Sequence, residues 1–131
     1  MENFIREVKY YECDGMGITH HSNYIRFMED ARIYVLDQLG YGFDRMEAEG
    51  VVSPVVSLSC EYKKPTRFKD RIEIEVKLKE MSELKMTFSY VMKVKGALVC
   101  KATSTHCFIL DGRPFSFQER WPELTEKLKE L

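Results

Sequence analysis

An α+β fold, with an antiparallel sheet on one side of a single long helix, is what this sequence predicts, and three patterns carry the prediction. Residues 72–78 and 84–94 each alternate apolar and polar side chains with period 2, as a strand with one buried face must. Only Met81-Ser82-Glu83 separates them, short enough for a hairpin and so for antiparallel pairing. Between residues 23 and 39 the apolar positions recur instead at spacings of three and four, the signature of a helix with a buried stripe.

Taken in order, the first element is a short strand in which Phe4, Val8 and Tyr10 alternate with Glu7 and Lys9. A glycine-bearing loop, 12–23, leads to the helix, whose stripe is Tyr24, Phe27, Met28, Ala31, Tyr34, Val35 and Leu39. Asn23 reads as its N-cap and Gly40 as its stop, giving about sixteen residues and roughly 24 Å. Ile25, Ile33 and Leu36 widen the stripe, so the helix is expected to be largely covered. A short helix follows at 44–49. Next comes a strand in which Val56, Leu58, Cys60 and Tyr62 alternate with Ser57, Ser59, Glu61 and Lys63, closed by Pro65. After the hairpin a further strand places Leu98, Cys100 and Ala102 opposite Lys101, Thr103 and Thr105, and Asp111-Gly112 ends the run. Residues 122–131 read as an amphipathic surface helix. One helix covers one face of a sheet, so the face bearing Glu73, Glu75, Lys77, Lys79, Lys93 and Lys95 meets solvent or another subunit.

The chain has 131 residues, 44% of them hydrophobic, and a balance of 20 basic against 21 acidic side chains. That is one domain, 1–131, able to bury roughly two-thirds of its unfolded surface without disulfides or a structural metal. A net charge of -1 gives no electrostatic reason to bind nucleic acid or an acidic membrane surface, and neither is expected as a partner. No signal-peptide run or spanning segment is visible, so a cytoplasmic location is expected. Cys13, Cys60, Cys100 and Cys107 have no Cys-x-x-Cys spacing and read as free thiols.

The reactive side chains concentrate in the loop, Glu12-Cys13-Asp14-Gly15-Met16-Gly17-Ile18-Thr19-His20-His21-Ser22-Asn23. It brings a carboxylate, two imidazoles and a helix N-terminus together, and such a terminus favours negative charge developing on a bound oxygen. Those are the parts that acyl transfer needs. Extended along the chain, the pattern is Tyr11, Asp14, Gly17, His21, Asn23-Tyr24, Phe27, Glu29 and Arg32. It resembles the N-terminal signature of the hotdog-fold acyl-CoA thioesterases, specifically the 4-hydroxybenzoyl-CoA thioesterase group. The likeness extends over almost the whole chain, including the segment from Ser53-Pro54 to Pro65.

The resemblance implies a five-stranded antiparallel sheet wrapped around one long central helix, and hydrolysis of acyl-CoA to free acid and CoA with no cofactor beyond the CoA of the substrate. It implies Asp14 as the catalytic carboxylate, either attacking the thioester carbonyl or acting as general base for water. The backbone N–H of His21 polarises the carbonyl oxygen, and the His21 side chain orients substrate or water. Gly17, Asn23 and Tyr24 are candidate substrate contacts, with Tyr24, Phe27, Met28 and Val56 around the acyl group. Coenzyme A carries phosphates that need cations. Lys63, Lys64 and Arg67 are candidates, as is Lys85, the one basic residue near the hairpin turn where family members carry several. The resemblance also implies a homodimer, often doubled to a homotetramer.

Each residue also has a plainer reading. Asp14 is a natural turn-former before glycines, and Glu29 with Arg32 is a natural i,i+3 ion pair. Glu29 is the fallback carboxylate, because a related branch places its own on this helix. A metal bound by Asp14, Cys13 and the histidines is not expected, since adjacent side chains of an extended segment point to opposite sides. His106 reads as structural or surface. Two alternative functions remain, and a third lacks its motif. An acyl-carrier-protein thioesterase would keep the chemistry and change the thiol carrier, and a non-catalytic acyl-thioester binder would lack it. A hotdog dehydratase would need a glycine-phenylalanine-proline-rich histidine loop that is absent.

Overall fold

The computed structural model covers residues 1–131. In chain order the elements are β1 (Phe4–Glu7), α1 (Ser22–Gln38), α2 (Phe43–Ala48), β2 (Val51–Val52), β3 (Val55–Tyr62), β4 (Arg71–Met81), β5 (Lys85–Val94), β6 (Ala97–Cys107), β7 (Ile109–Leu110), β8 (Arg113–Pro114), α3 (Phe117–Arg120) and α4 (Pro122–Lys129). One antiparallel sheet has the order β1-β4-β5-β6-β3. Its inner face presents Ile72, Ile74 and Val76 from β4, Met86, Phe88, Tyr90 and Met92 from β5, and Cys100 and Ala102 from β6, all buried. Onto them α1 lays Tyr24, Phe27, Met28, Ala31, Val35 and Leu36 in one core. The outer face is polar, with the Ser59 and Thr103 hydroxyls 2.7 Å apart, those of Thr87 and Thr105 2.8 Å apart, and a Lys77–Glu75 ion pair at 3.4 Å.

The helix differs from expectation at its start. Its N-cap is His21, already helical at φ -56°, ψ -30°, and Asn23 lies inside the first turn with its side chain directed back to the loop. Its end follows the predicted stop. The Tyr41 N–H donates to Leu36 O and the Gly40 N–H to Asp37 O, each at 3.0 Å, while Gly40 adopts φ +84°. That is a Schellman closure, which needs the left-handed backbone that glycine supplies.

Two bulges break the alternation read from the sequence. The β5–β6 register slips between Met92 and Lys93, so Val99 turns inward beside Cys100. The β3–β6 register slips between Val55 and Ser57, which takes Val56 out of the row formed by Leu58, Cys60 and Tyr62. The C-terminal region is more tightly held than a surface helix. A small sheet in the order β2-β7-β8 adjoins an aromatic cluster of Tyr41, Phe108, Phe117 and Trp121, and Leu124 and Leu128 of α4 are buried. No helix is long and apolar enough to cross a membrane.

The strand β3 stands apart. It pairs only with β6, and its apolar side chains remain open, Leu58 at 42% and Tyr62 at 49% exposure. An apolar strand with an unpaired edge is an invitation to another chain.

Candidate active site

Buried charge fixes the loop between β1 and α1. Glu12 takes two bonds from Arg6, at 3.1 and 2.7 Å, and one from the Lys9 N–H at 2.8 Å, while Arg6 also lies 5.0 Å from the centre of the Phe27 ring. Beyond Glu12 the chain closes on itself. Cys13 bridges to Thr19, the Asp14 N–H donates to Ile18 O at 2.9 Å, and the Gly17 N–H donates to Asp14 O at 3.0 Å. Gly17 turns the corner at φ +77°, where a side chain would strain the backbone. Asp14 is half-buried. Its Oδ1 accepts the Met16 N–H at 2.8 Å, and its Oδ2 has no bond within the chain. The turn-forming and reactive readings of Asp14 therefore use different oxygens.

Asn23, proposed from sequence as a substrate contact, is a fastener in this geometry. Its buried amide donates to Glu12 O at 2.9 Å and to His20 O at 3.3 Å. Asn23→Ala is expected to lower stability by roughly 1–3 kcal/mol in urea unfolding, since two backbone acceptors lose their donor. A loss below measurement error would mean that water replaces the amide without cost.

At the start of α1 the backbone N–H of His21 has no partner in the chain, whereas that of Ser22 donates to His20 Nδ1 at 3.2 Å. The His20 and His21 rings stack at 4.2 Å, so these neighbours do not point apart as an extended segment requires, because the chain is already turning into the helix. No three side chains of the metal-binding types meet anywhere. Tyr62 lies edge-on to both His21 and Tyr24, and its hydroxyl donates to His21 O at 3.4 Å. Burial and the neighbouring Cys60 raise the Tyr62 hydroxyl to about 12, so it stays protonated.

Thr66 is the residue that sequence reasoning missed. It is fully buried, its carbonyl accepts the Thr19 N–H at 2.8 Å, and its hydroxyl meets those of Thr19 at 2.6 Å and Tyr24 at 2.8 Å. Nothing local distinguishes a threonine between Pro65 and Arg67, and its importance comes from partners more than forty residues away. Tyr24, only 3% exposed and with its hydroxyl engaged, forms wall rather than free donor. Arg67 reaches Gly17 O at 3.4 Å. Lys63 follows Tyr62 directly and pairs with Glu61 at 3.4 Å. Lys85 is not brought to the site within one chain. It pairs across from Cys107 and Tyr62 from Cys100, which sets them roughly 23 Å apart along β6 at the usual strand rise.

Glu29 and Arg32 do not pair. Glu29 is exposed, whereas Arg32 turns into the core at 8% exposure with no carboxylate in ion-pair range. Its Nη1 donates to Tyr90 OH at 3.0 Å and Ser104 Oγ at 3.5 Å, Ser104 Oγ lies 2.7 Å from both Tyr90 OH and His106 Nε2, and Arg32 Nε has no partner. Burial, with the Arg32 charge beside it, holds His106 down to about 4, so it is neutral at physiological pH.

These contacts form a packed seam between α1 and β3. Tyr24 faces Tyr62, and one turn on Met28 Sδ meets Cys60 Sγ at 3.7 Å. A further turn on, Arg32 meets Ser104, the partner of Leu58 across the strands. A hydrogen bond with Cys100 lowers the Cys60 thiol to about 7. A concavity of about 400 Å³ lined by Phe4, Val35, Leu39 and Val76 shares no residue with this seam.

A loop carboxylate with a free oxygen, seven residues ahead of a free helix N-terminal N–H, suits attack on an acyl carbonyl. Comparison with known proteins agrees with that chemistry, for the model of the family described as Thioesterase-like superfamily matches residues 8–128. The chain belongs to this superfamily. Among its relatives, a protein of Aquifex aeolicus named as a candidate esterase is 37% identical over 95% of both chains. A Bacillus subtilis protein, YneP, named as a candidate acyl-CoA thioesterase, is 34% identical over 89% of this chain and 87% of its own. The crystal structure of a DHNA-CoA thioesterase from Staphylococcus aureus superposes with a TM-score of 0.91 at 26% identity, covering 99% of this chain and 91% of that one. This member of the thioesterase-like superfamily thus has the hotdog fold of its relatives, and its enzyme class is thioester hydrolase.

Proposed function

We propose that the protein hydrolyses acyl-CoA thioesters in a site of the 4-hydroxybenzoyl-CoA thioesterase type. Asp14 serves as nucleophile or general base, and the His21 backbone N–H stabilises the carbonyl oxygen. The observation that carries this reading is the pairing of a carboxylate oxygen free of internal bonds, Asp14 Oδ2, with an unpartnered N–H at the positive end of a 17-residue helix. Either Asp14 attacks the carbonyl carbon to give an acyl anhydride that water then opens, or it takes a proton from the attacking water. In both routes the C–S bond breaks and CoA leaves as a thiolate, which needs little help from an acid. Gly17 and Asn23 hold the loop, Tyr24 and Tyr62 wall the acyl entrance, and the His21 side chain orients water or substrate. Lys63, next to Tyr62 and paired with Glu61, and Arg67, against the loop, would meet the CoA phosphates in this reading. The relatives named for acyl-CoA substrates support CoA as the thiol carrier over an acyl carrier protein, and the free Asp14 oxygen supports catalysis over mere binding.

The same reading includes a cytoplasmic homodimer or homotetramer, in which a second copy pairs along the open edge of β3 and covers its apolar side chains. Lys85 then serves a site other than its own chain's. Thiol release from a panel of short, long and aromatic acyl-CoAs tests the activity, with hydrolysis of at least one expected. Binding of the panel without thiol release would favour the non-catalytic binder. Sedimentation at micromolar concentration is expected to give a dimer or larger, and a monomer there would contradict the pairing.

A further inference from the structure

We propose, resting on the thioesterase reading above, that Thr66 is a positioning residue for hydrolysis. Its hydroxyl couples the loop carrying Asp14 to the first turn of α1, and so sets where the carboxylate lies relative to the His21 N–H. The loop has two limbs. The outgoing limb, from Glu12 to Asp14, is fastened to α1 by the Asn23 amide, which donates to Glu12 O at 2.9 Å. The returning limb, Ile18 and Thr19, holds Asp14 in turn, through the Asp14 N–H on Ile18 O at 2.9 Å and the Cys13–Thr19 bridge. The side chain of Thr19 is joined to α1 through Thr66, whose hydroxyl lies 2.6 Å from that of Thr19 and 2.8 Å from that of Tyr24.

Counting protons gives this link a direction. Thr19 Oγ1 donates to Thr66 O at 3.1 Å, a carbonyl that can only accept, so the one proton of the Thr19 hydroxyl is spent there. Across the 2.6 Å contact Thr66 is therefore the donor to Thr19, and across the 2.8 Å contact Tyr24 is the donor to Thr66. Burial raises the Tyr24 hydroxyl, which keeps the proton it donates. The chain of bonds runs from Tyr24 to Thr66 to Thr19 and ends on the Thr66 carbonyl. All three residues are buried, so each hydroxyl depends on the next. Two functions separate along it. The Thr66 carbonyl accepts both the N–H and the hydroxyl of Thr19, and being backbone it holds the loop whatever side chain stands at 66. Only the Thr66 hydroxyl carries the connection on to α1. A displacement of about 1 Å between reacting groups can cost on the order of 10²-fold in rate, so this hydroxyl is worth more to turnover than to stability.

The test uses Thr66→Val, Thr66→Ser, Tyr24→Phe and the Tyr24→Phe/Thr66→Val double variant, assayed with the acyl-CoA of the panel that wild type hydrolyses fastest. Thr66→Val keeps the shape and removes the hydroxyl, and Tyr24→Phe keeps the ring and cuts the same link from the other side. Each is expected to lower kcat by roughly 10–100-fold with little change in KM. Thr66→Ser is expected to restore most of the loss. The double variant is expected to be no slower than either single one, because both remove one connection. It should also unfold at higher urea than Thr66→Val, since no buried Tyr24 hydroxyl is left unpaired, so that stability returns while turnover does not. Wild-type kcat in Tyr24→Phe, a Thr66→Ser protein as slow as Thr66→Val, or losses that multiply in the double variant each overturn the proposal. Should Thr66→Val fail to fold, Tyr24→Phe and Thr66→Ser decide. Hydrogen exchange separates this inference from the reaction itself. In Tyr24→Phe the amides of Asp14 and Thr19 are expected to exchange roughly 2–10-fold faster, the worth of one hydrogen bond, while those of β4 and β5 keep their rates. If wild type releases no thiol from any acyl-CoA yet the loop amides respond in this way, the thioesterase reading fails and the coupling of loop to helix stands. Loop exchange identical to wild type overturns the coupling whatever the activity.

Discussion

Replacing Asp14 with asparagine is expected to lower kcat for thioester hydrolysis by roughly 10²–10⁴-fold, the range associated with loss of a positioned proton-transfer group. Asparagine keeps an oxygen where Asp14 Oδ1 accepts the Met16 N–H at 2.8 Å, so the turn and the loop closed by the Cys13–Thr19 bridge persist. What disappears is the basic and nucleophilic capacity of the other oxygen. The unfolding midpoint should therefore stay near that of wild type while turnover collapses, and KM should change far less than kcat. Substantial hydrolysis by the variant would remove Asp14 from the mechanism and return attention to Glu29, which is exposed on α1. Single turnover in heavy-oxygen water probes the two roles, since an anhydride opened at the Asp14 carbonyl leaves solvent oxygen on Asp14 and passes an Asp14 oxygen to the product, which general-base catalysis cannot do.

The second large effect is a loss of stability in acid that belongs to one histidine. Burial, and then the charge of Arg32, holds His106 to about 4 in the folded protein, against 6.5 for an unperturbed imidazole. The folded state therefore binds the proton more weakly than the unfolded chain does. The stability from keeping His106 neutral is complete above the unfolded value and drains away as pH falls from about 6.5 toward 4. The total is about 3 kcal/mol. The groups facing the ring are Arg32 from α1, Tyr90 and Phe88 from β5, and Ser104 from its own strand, with no carboxylate to rescue the imidazolium. Urea unfolding of wild type and His106→Gln across that window isolates the effect, because the carboxylates that also titrate are common to both. Parallel stability curves would show that the ring finds water or moves when protonated.

Strands and helix were legible because their information is local. Alternation along β4 and β5 and the three-and-four spacing along α1 are set by which face each residue presents, and both faces fall where the spacing predicts. The acid-bearing loop was legible for a similar reason, as its glycines and histidines sit within a dozen residues. Positions decided by distant partners were not. The bulges that displace Val56 and turn Val99 inward depend on how β3 and β5 register against β6. Lys85 looked close to the site only until that register placed it at the other end of the sheet. Arg32 and Glu29 have the spacing of a surface pair, yet the rotation of α1 against the sheet buries one and exposes the other. Asn23 fits a capping rule, and only the path of Glu12 beneath it explains why its amide is spent elsewhere.

The Thr66 anchor ties chemistry to the order of folding. The loop carrying Asp14 is held to the body of the protein by bonds from Thr19 and Tyr24 to a residue 47 and 42 positions further along the chain. Contacts that distant form only after the intervening chain has been closed into a large loop, at an entropic cost which local structure does not bear. The helix and the β4–β5 hairpin can therefore assemble while the loop is still unfastened. Loosening Thr66 would therefore free the loop that carries Asp14 without altering Asp14 itself.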